Sequence, residues 1–336
     1  MLPMFRSLIA LTYLFGVLAG AAGAAVASEN APRVDLAKTL GLFKDWSQRK
    51  TFPDSVSIGY YVGYSLRALE GRVPDTVKDR LAAYIRACQQ PDGGFVSNRR
   101  FGSKANVIYT FYALQALEVV GALDAIEREK TLGFLRQLIR SDGSLTATPD
   151  AGAKGDLAST YYGISALRLL GELEVLDRDK TLAFVKGYRT SDEGFGMRTG
   201  GASSLQGTFM AVSVLADLAG LDEILVAGAT RYLESAIAYA GMKGKRYRAL
   251  STMQAAASTL GALERLGTLH EVETDNLELF VLARYVPQNG GFGPREGLGT
   301  TPPSTYQGVY CLAALGKLKA LTLERAVDRF EQYAGY

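Results

Sequence analysis

Apolar segments with helical spacing alternate with amphipathic ones along most of this chain, and the alternation is periodic. Residues 155–171 read as a turn followed by one helix. Thr160, Gly163, Leu167 and Gly171 fall three or four residues apart, on one helical face. The pattern returns over residues 110–117, 208–215 and 305–312, and in looser copies ending at Leu69 and Leu263. The anchor leucines Leu69, Leu117, Leu167, Leu215, Leu263 and Leu312 are separated by 48, 50, 48, 48 and 49 residues. So regular a period marks a repeat architecture, in which no unit buries its apolar face alone.

Two kinds of helix are predicted. One is apolar nearly all round and should be buried on both sides. The other carries Lys, Arg, Glu and Asp on one face and should meet water. The second kind opens near Asp75, Asp124, Asp177, Asp222 and Glu273, acidic starts that suit the helix dipole. Each ends at a glycine turn: Asp92-Gly93-Gly94-Phe95, Asp142-Gly143-Ser144, Glu193-Gly194-Phe195-Gly196, Gly241-Met242-Lys243-Gly244 and Asn289-Gly290-Gly291-Phe292. Residues 34–48 supply an amphipathic helix before the first repeat, and residues 322–333 one after the last. No strand is predicted. The fold class is all-α: six hairpins with apolar helices inside and amphipathic ones outside. The repeat alone leaves an open solenoid and a closed ring equally available.

Composition changes this picture little. With 37 Lys and Arg against 34 Asp and Glu, the formal charge is +3, too small for a nucleic-acid footprint or a strongly basic membrane surface. The N-terminus stands apart. Residues 7–28 are uncharged and end in a small-residue run, with Ala25-Val26-Ala27 matching a signal-peptidase site. A cleaved signal peptide over residues 1–27, and hence export to the periplasm or cell exterior, is the expectation. An uncleaved membrane anchor is the alternative, since about 20 apolar residues span a bilayer. The folded domain should cover residues 34–336. Cys88 and Cys311 each lie in an apolar helical pattern and read as buried thiols; a bridge between first and last repeats needs a closed ring. Asp150 and Asp156 fall in turns and read as solvated loop acids rather than a catalytic pair.

The Gly-Gly-Phe turn followed by Thr-Tyr-Tyr and, after three further residues, Ala-Leu resembles the repeats of protein prenyltransferase β-subunits and squalene cyclases. The spacing most resembles the Rab geranylgeranyltransferase β-subunit. The resemblance implies an α/α-toroid, a closed six-hairpin barrel around a central funnel. It also implies a zinc site of Asp, Cys and His. Here those positions fall on Thr252, Gln254 and Ser304, which do not supply thiolate, imidazole or carboxylate. No zinc or other cofactor is therefore expected. The family's diphosphate-binding Arg and His fall on Ala158 and Ser204, while one family Arg is kept as Arg246. His270, the only histidine, reads as an exposed residue between helices. The Asp-rich cyclase motif and the Gln/Trp repeat motif are absent, Trp46 being the only tryptophan.

Two groups remain as candidate ligand-binding residues. Lys243, Lys245, Arg246 and Arg248 form the densest cation cluster and could hold an anionic head group, or be a solvated turn. Tyr109, Tyr161, Tyr162, Phe209 and Tyr306 recur at the starts of inner helices. The resemblance implies that they line an isoprenoid funnel; core packing is the plainer reading. The expected function is a secreted toroid without zinc-dependent prenyl transfer, binding an isoprenoid-like or lipid ligand or a protein partner. The alternatives are a divergent active prenyltransferase and a structural repeat scaffold.

Overall fold

A computed structural model describes residues 33–101, 104–150, 152–238 and 250–318. The inner helices are α2 (Val56–Glu70), α4 (Val107–Val120), α6 (Leu157–Leu170), α8 (Leu205–Asp217), α10 (Met253–Leu266) and α12 (Pro302–Ala314). Around them stand the outer helices α1 (Leu36–Gln48), α3 (Asp75–Cys88), α5 (Arg128–Leu138), α7 (Arg178–Lys186), α9 (Glu223–Ala238) and α11 (Asp275–Leu282). The N-terminal signal expectation, the turn at 241–244, the cation cluster and the helix expected at 322–333 lie outside the described residues.

Every inner helix begins in the same way. Ser55, Asn106, Asp156, Ser204, Thr252 and Thr301 are N-caps whose side-chain oxygens accept the backbone N–H three residues on. Eleven residues after each cap stands a fully buried leucine: Leu66, Leu117, Leu167, Leu215, Leu263 and Leu312. The first anchor is thus Leu66, and Leu69 is only half-buried. Positions three apart share a helical face, so periodicity alone could not choose between them.

The repeated threonines have a mechanical role. Thr110, Thr160, Thr208 and Thr305 accept the backbone N–H of Phe95, Leu145, Phe195 and Phe292 at 3.0–3.2 Å. Each glycine turn is thereby fixed to the inner helix that follows it. A second set fixes the turn to the next outer helix. The hydroxyls of Thr131 and Thr181 donate to the carbonyls of Gly93 and Gly143 at 3.1 and 2.9 Å. Those glycines adopt positive φ, and a Cβ on either would run into the backbone of Lys130 or of Lys180 and Thr181.

The same staple closes the ring. Thr39 of α1 donates to the carbonyl of Gly290 at 2.6 Å, although the two are 251 residues apart. Gly290 also has positive φ, and its missing Cβ would lie 2.7 Å from the Lys38 carbonyl carbon. Helix α1 therefore occupies, beside the last turn, the place α5 and α7 occupy beside theirs. Among the inner helices, α12 packs on both α10 and α2. The barrel is closed.

Three local expectations change. The last turn forms a two-stranded antiparallel ribbon, β1 (Tyr285–Val286) with β2 (Gly291–Phe292), where no strand was expected. The hairpin at Asn289-Gly290 brings the chain straight back, so the turn pairs with itself. Asp124 lies in a short 3-10 turn, Leu123–Ala125, and α5 starts at Arg128. After the left-handed Gly121 ends α4, that turn carries the chain from the inner to the outer ring. Glu273 likewise precedes the helix that begins at Asp275. Cys88 and Cys311 are both buried free thiols, and His270 sits exposed in the 3-10 turn Leu269–Glu271. No helix of the described residues is long and apolar enough to cross a membrane.

Candidate functional site

Because all six inner helices start from equivalent caps, equivalent positions face the barrel axis. The fifth and sixth residues after each cap form the wall. They are Tyr60 and Tyr61 on α2, Phe111 and Tyr112 on α4, Tyr161 and Tyr162 on α6, and Phe209 and Met210 on α8; α12 supplies Tyr306 and Gln307. On α10 the same two positions are Ala257 and Ser258. The aromatic arc is continuous elsewhere. Tyr61 stacks on Tyr306 at 4.8 Å, Phe111 meets Tyr162 at 5.3 Å, and Tyr161 meets Phe209 edge-on at 5.4 Å. Facing α10 the arc is interrupted, and a cavity of ≈ 340 Å³ opens there. Gly261 also lines it, and a Cβ there would lie 2.7 Å from the Phe209 ring.

Hydroxyls link the arc. Tyr60 and Tyr306 share a hydrogen bond of 3.1 Å, and the Tyr61 hydroxyl donates to that of Tyr112 at 3.1 Å. Burial pushes Tyr60 up to about 12 and raises Tyr61, Tyr64, Tyr112, Tyr161, Tyr162, Tyr306 and Tyr310 as well. The wall is neutral at physiological pH. An alkaline prediction follows. Between the ordinary tyrosine value near 10 and the raised folded value, the folded state holds more protons than the unfolded one. Stability must then fall as pH rises through that window. Tyr60 alone accounts for roughly 2–3 kcal/mol by pH 12. Tyrosinate absorbance from the wall should appear together with unfolding, read as the difference between wild type and Tyr60→Phe; a Tyr60 contribution that titrates freely near pH 10 in the folded protein would refute it.

At the far end of the cavity stand Glu264, Arg265 and Tyr310. The Tyr310 hydroxyl donates to Glu264. Arg265 pairs with Asp217 at 3.0 Å, and Arg168 reaches the same carboxylate at 3.3 Å. The Asp217 side chain is only 4 % exposed, and burial raises its carboxyl against the opposing pull of both guanidiniums. This cluster ties α6, α8 and α10 together.

At the near end the cavity adjoins a mouth of ≈ 320 Å³ between the starts of α8 and α10, sharing Gln206, Gln254 and Ser258 with it. The rest of the mouth includes Ser203, Ser204, Ser251, Thr252 and Tyr232.

The expected site residues divide. Tyr161, Tyr162, Phe209 and Tyr306 all line the cavity. Tyr109 does not: it is the third residue after its cap, half-buried and turned off the wall. Adjacent aromatics look alike in sequence, but a helix turns about 100° per residue. Lys243, Lys245, Arg246 and Arg248 lie outside the described residues. The four cavity glutamines (Gln115, Gln206, Gln254 and Gln307), together with Ala257 and Ser258, were missed as ligand positions. Counting from the caps would have found them.

Thr252, Gln254 and Ser304 do not fit a zinc ion as a donor set. Thr252 is occupied as the α10 cap, accepting from Ala255 at 3.1 Å. The Ser304 hydroxyl donates to the Phe292 carbonyl at 2.6 Å inside the α12 capping box. No group of three or more His, Cys, Asp or Glu able to hold a metal is found among the described residues. Asp156, which reads in sequence as a solvated loop acid, is the α6 cap.

A comparison of the sequence with curated proteins returns no match. Structural likeness is extensive. Candida albicans protein geranylgeranyltransferase-I, complexed with GGPP, superposes with a TM-score of 0.71 at 18% identity, covering 84% of this chain and 92% of that one. A variant of the type II terpene cyclase MstE from Scytonema, in complex with geranylgeranyl dihydroxybenzoate, gives 0.56 at 13% identity, covering 84% and 97%. A protein from Actinoplanes gives 0.52 at 16%, covering 85% and 100%. At these identities the likeness establishes the fold. The family model of the prenyltransferase alpha-alpha toroid domain matches residues 44–319, nearly the whole closed barrel, and the chain belongs to that family.

Proposed function

We propose that the central cavity binds an elongated apolar ligand of isoprenoid type, and that the chain does not carry out zinc-dependent prenyl transfer to a thiol. The observation that carries this reading is the interruption of the aromatic arc at Ala257 and Ser258. Five inner helices present aromatic or long apolar side chains to the axis, and one presents small ones. The space so left is walled by tyrosine and phenylalanine rings. Its volume lies at the small end of the usual ligand-pocket range of about 300–1,000 Å³. Structural neighbours that bind GGPP and geranylgeranyl dihydroxybenzoate support an isoprenoid occupant. The donors at Thr252, Gln254 and Ser304 support the loss of thiolate activation.

The experiment is native mass spectrometry of the protein as purified, alongside Ala257→Trp. An indole at position 257 fills the gap without replacing any core side chain. Wild type is expected to carry a co-purifying lipid of isoprenoid mass. Ala257→Trp should lose it, with affinity for added geranylgeraniol falling at least about tenfold (roughly 1.4 kcal/mol). An empty wild type that ignores added isoprenoids refutes the reading. Zinc-dependent transfer of a labelled prenyl group to a cysteine peptide would refute its second half.

A further inference from the structure

We propose that the deep end of the cavity is a polar subsite, where Gln115, Glu264, Arg265 and Tyr310 receive a hydroxyl at the inner end of the ligand. The inference rests on the reading of the cavity as an isoprenoid site and deepens it: the bound chain is not hydrocarbon to its tip. Gln254, Ala257, Ser258, Gly261, Glu264 and Arg265 recur three or four residues apart on α10, and all six line the cavity. Small side chains hold the middle of that face, so an apolar chain has room to run along it. The run ends at Glu264 and Arg265, ten and eleven residues beyond Gln254, about 15 Å by helical rise. Two further inner helices bring polar groups to this end. Tyr310 comes from the adjacent α12, and Gln115 from α4, which stands opposite α10 in the ring of six. Each is the ninth residue after its cap, level with Gly261.

The deep end both accepts and donates. The Tyr310 hydroxyl donates to the Glu264 carboxylate, which has about four acceptor positions. Arg265 is held by Asp217 through Nη1 at 3.0 Å, and a guanidinium carries about five N–H donors. Both charges keep part of their surface in water: the Arg265 side chain is 36% exposed, and Glu264 is exposed. A hydrocarbon tip pressed against them removes that water and returns no hydrogen bond. A hydroxyl returns both kinds, donating to Glu264 and accepting from Arg265 or the Gln115 amide. Ionic ends fit less well. An ammonium is drawn to Glu264 but meets Arg265 beside it, and a carboxylate meets the reverse.

The test uses the full chain, with geranylgeraniol, geranylgeranylamine and a C20 branched hydrocarbon as probes. Geranylgeraniol is expected to bind at least about tenfold more tightly than the hydrocarbon, the scale of one hydrogen bond to a charged group. Glu264→Leu should erase that preference and leave the hydrocarbon bound as before, which also shows that the variant is folded. Gln254→Leu, at the opposite end of the cavity, should keep the preference. A wild type that binds alcohol and hydrocarbon alike overturns the inference alone. So does a preference that survives Glu264→Leu or vanishes in Gln254→Leu, since the hydroxyl is then held elsewhere than at Glu264. Loss of alcohol and hydrocarbon together in Glu264→Leu assigns Glu264 to the fold and also overturns it. An amine bound more tightly than the alcohol overturns the hydroxyl in favour of a cation. Failure of wild type to bind any of the three probes overturns the isoprenoid reading beneath it as well.

Discussion

Gly290→Ala is expected to loosen the ring at its seam and cost about 3 kcal/mol of stability, a large share of the 5–15 kcal/mol of a typical domain. Two penalties combine. Gly290 has φ +80, a left-handed conformation that costs an L-residue roughly 1–2 kcal/mol. The added methyl would also sit 2.7 Å from the Lys38 carbonyl carbon, and the contact is backbone, so no rotamer relieves it. Overpacking of this kind costs about 1–3 kcal/mol. Gly121→Ala is the control. Its φ is +69, but nothing lies within 4 Å of where the added methyl would stand, so only the first penalty applies. Urea denaturation should place Gly290→Ala below Gly121→Ala by at least about 1.5 kcal/mol. Gly93→Ala, which meets Lys130 in the same way, should behave like Gly290→Ala. Equal losses for Gly290→Ala and Gly121→Ala would mean that the seam does not bear on the fold.

Asp217→Ala is expected to cost roughly 1–3 kcal/mol, because Arg168 and Arg265 would be left without their shared carboxylate. The upper part of the usual range is not reached, since both arginine side chains are more than a third exposed and water screens them. Asp217→Asn should cost much less, as it keeps the shape and one acceptor. The pH dependence separates the two effects. Burial raises the Asp217 carboxyl above its ordinary range, so the folded state keeps that proton to higher pH than the unfolded state does. Wild-type stability then falls, relative to Asp217→Asn, as pH rises from the ordinary carboxylate value through the folded one. Thermal melts of both proteins across mildly acidic pH measure this. A wild type that gains on Asp217→Asn with rising pH would show that the guanidiniums, not burial, dominate.

The repeat was legible because it is written in local chemistry. Caps, glycine turns and helical periodicity are properties of short stretches, so the two helix types and most of their boundaries could be read directly. The slip from Leu66 to Leu69 shows the limit of that reading. Periodicity identifies a face, whereas the cap identifies a register. The same limit explains Tyr109, which shares its composition with the wall but not its angle. The sequence also held a sign of closure that periodicity passes over. Lys38-Thr39-Leu40, Lys130-Thr131-Leu132 and Lys180-Thr181-Leu182 are the same tripeptide in α1, α5 and α7. In each, the threonine serves a turn glycine.

By itself the sequence determined the helical class, the six units and the buried and exposed faces, because each depends on residue type at fixed local spacing. Only the tertiary structure decided that the ring closes, that Asp217 joins three inner helices and that the aromatic arc breaks at α10. Those facts depend on which residues meet across tens or hundreds of positions. A cavity is a property of what faces it from every side, and no single stretch of chain contains that information.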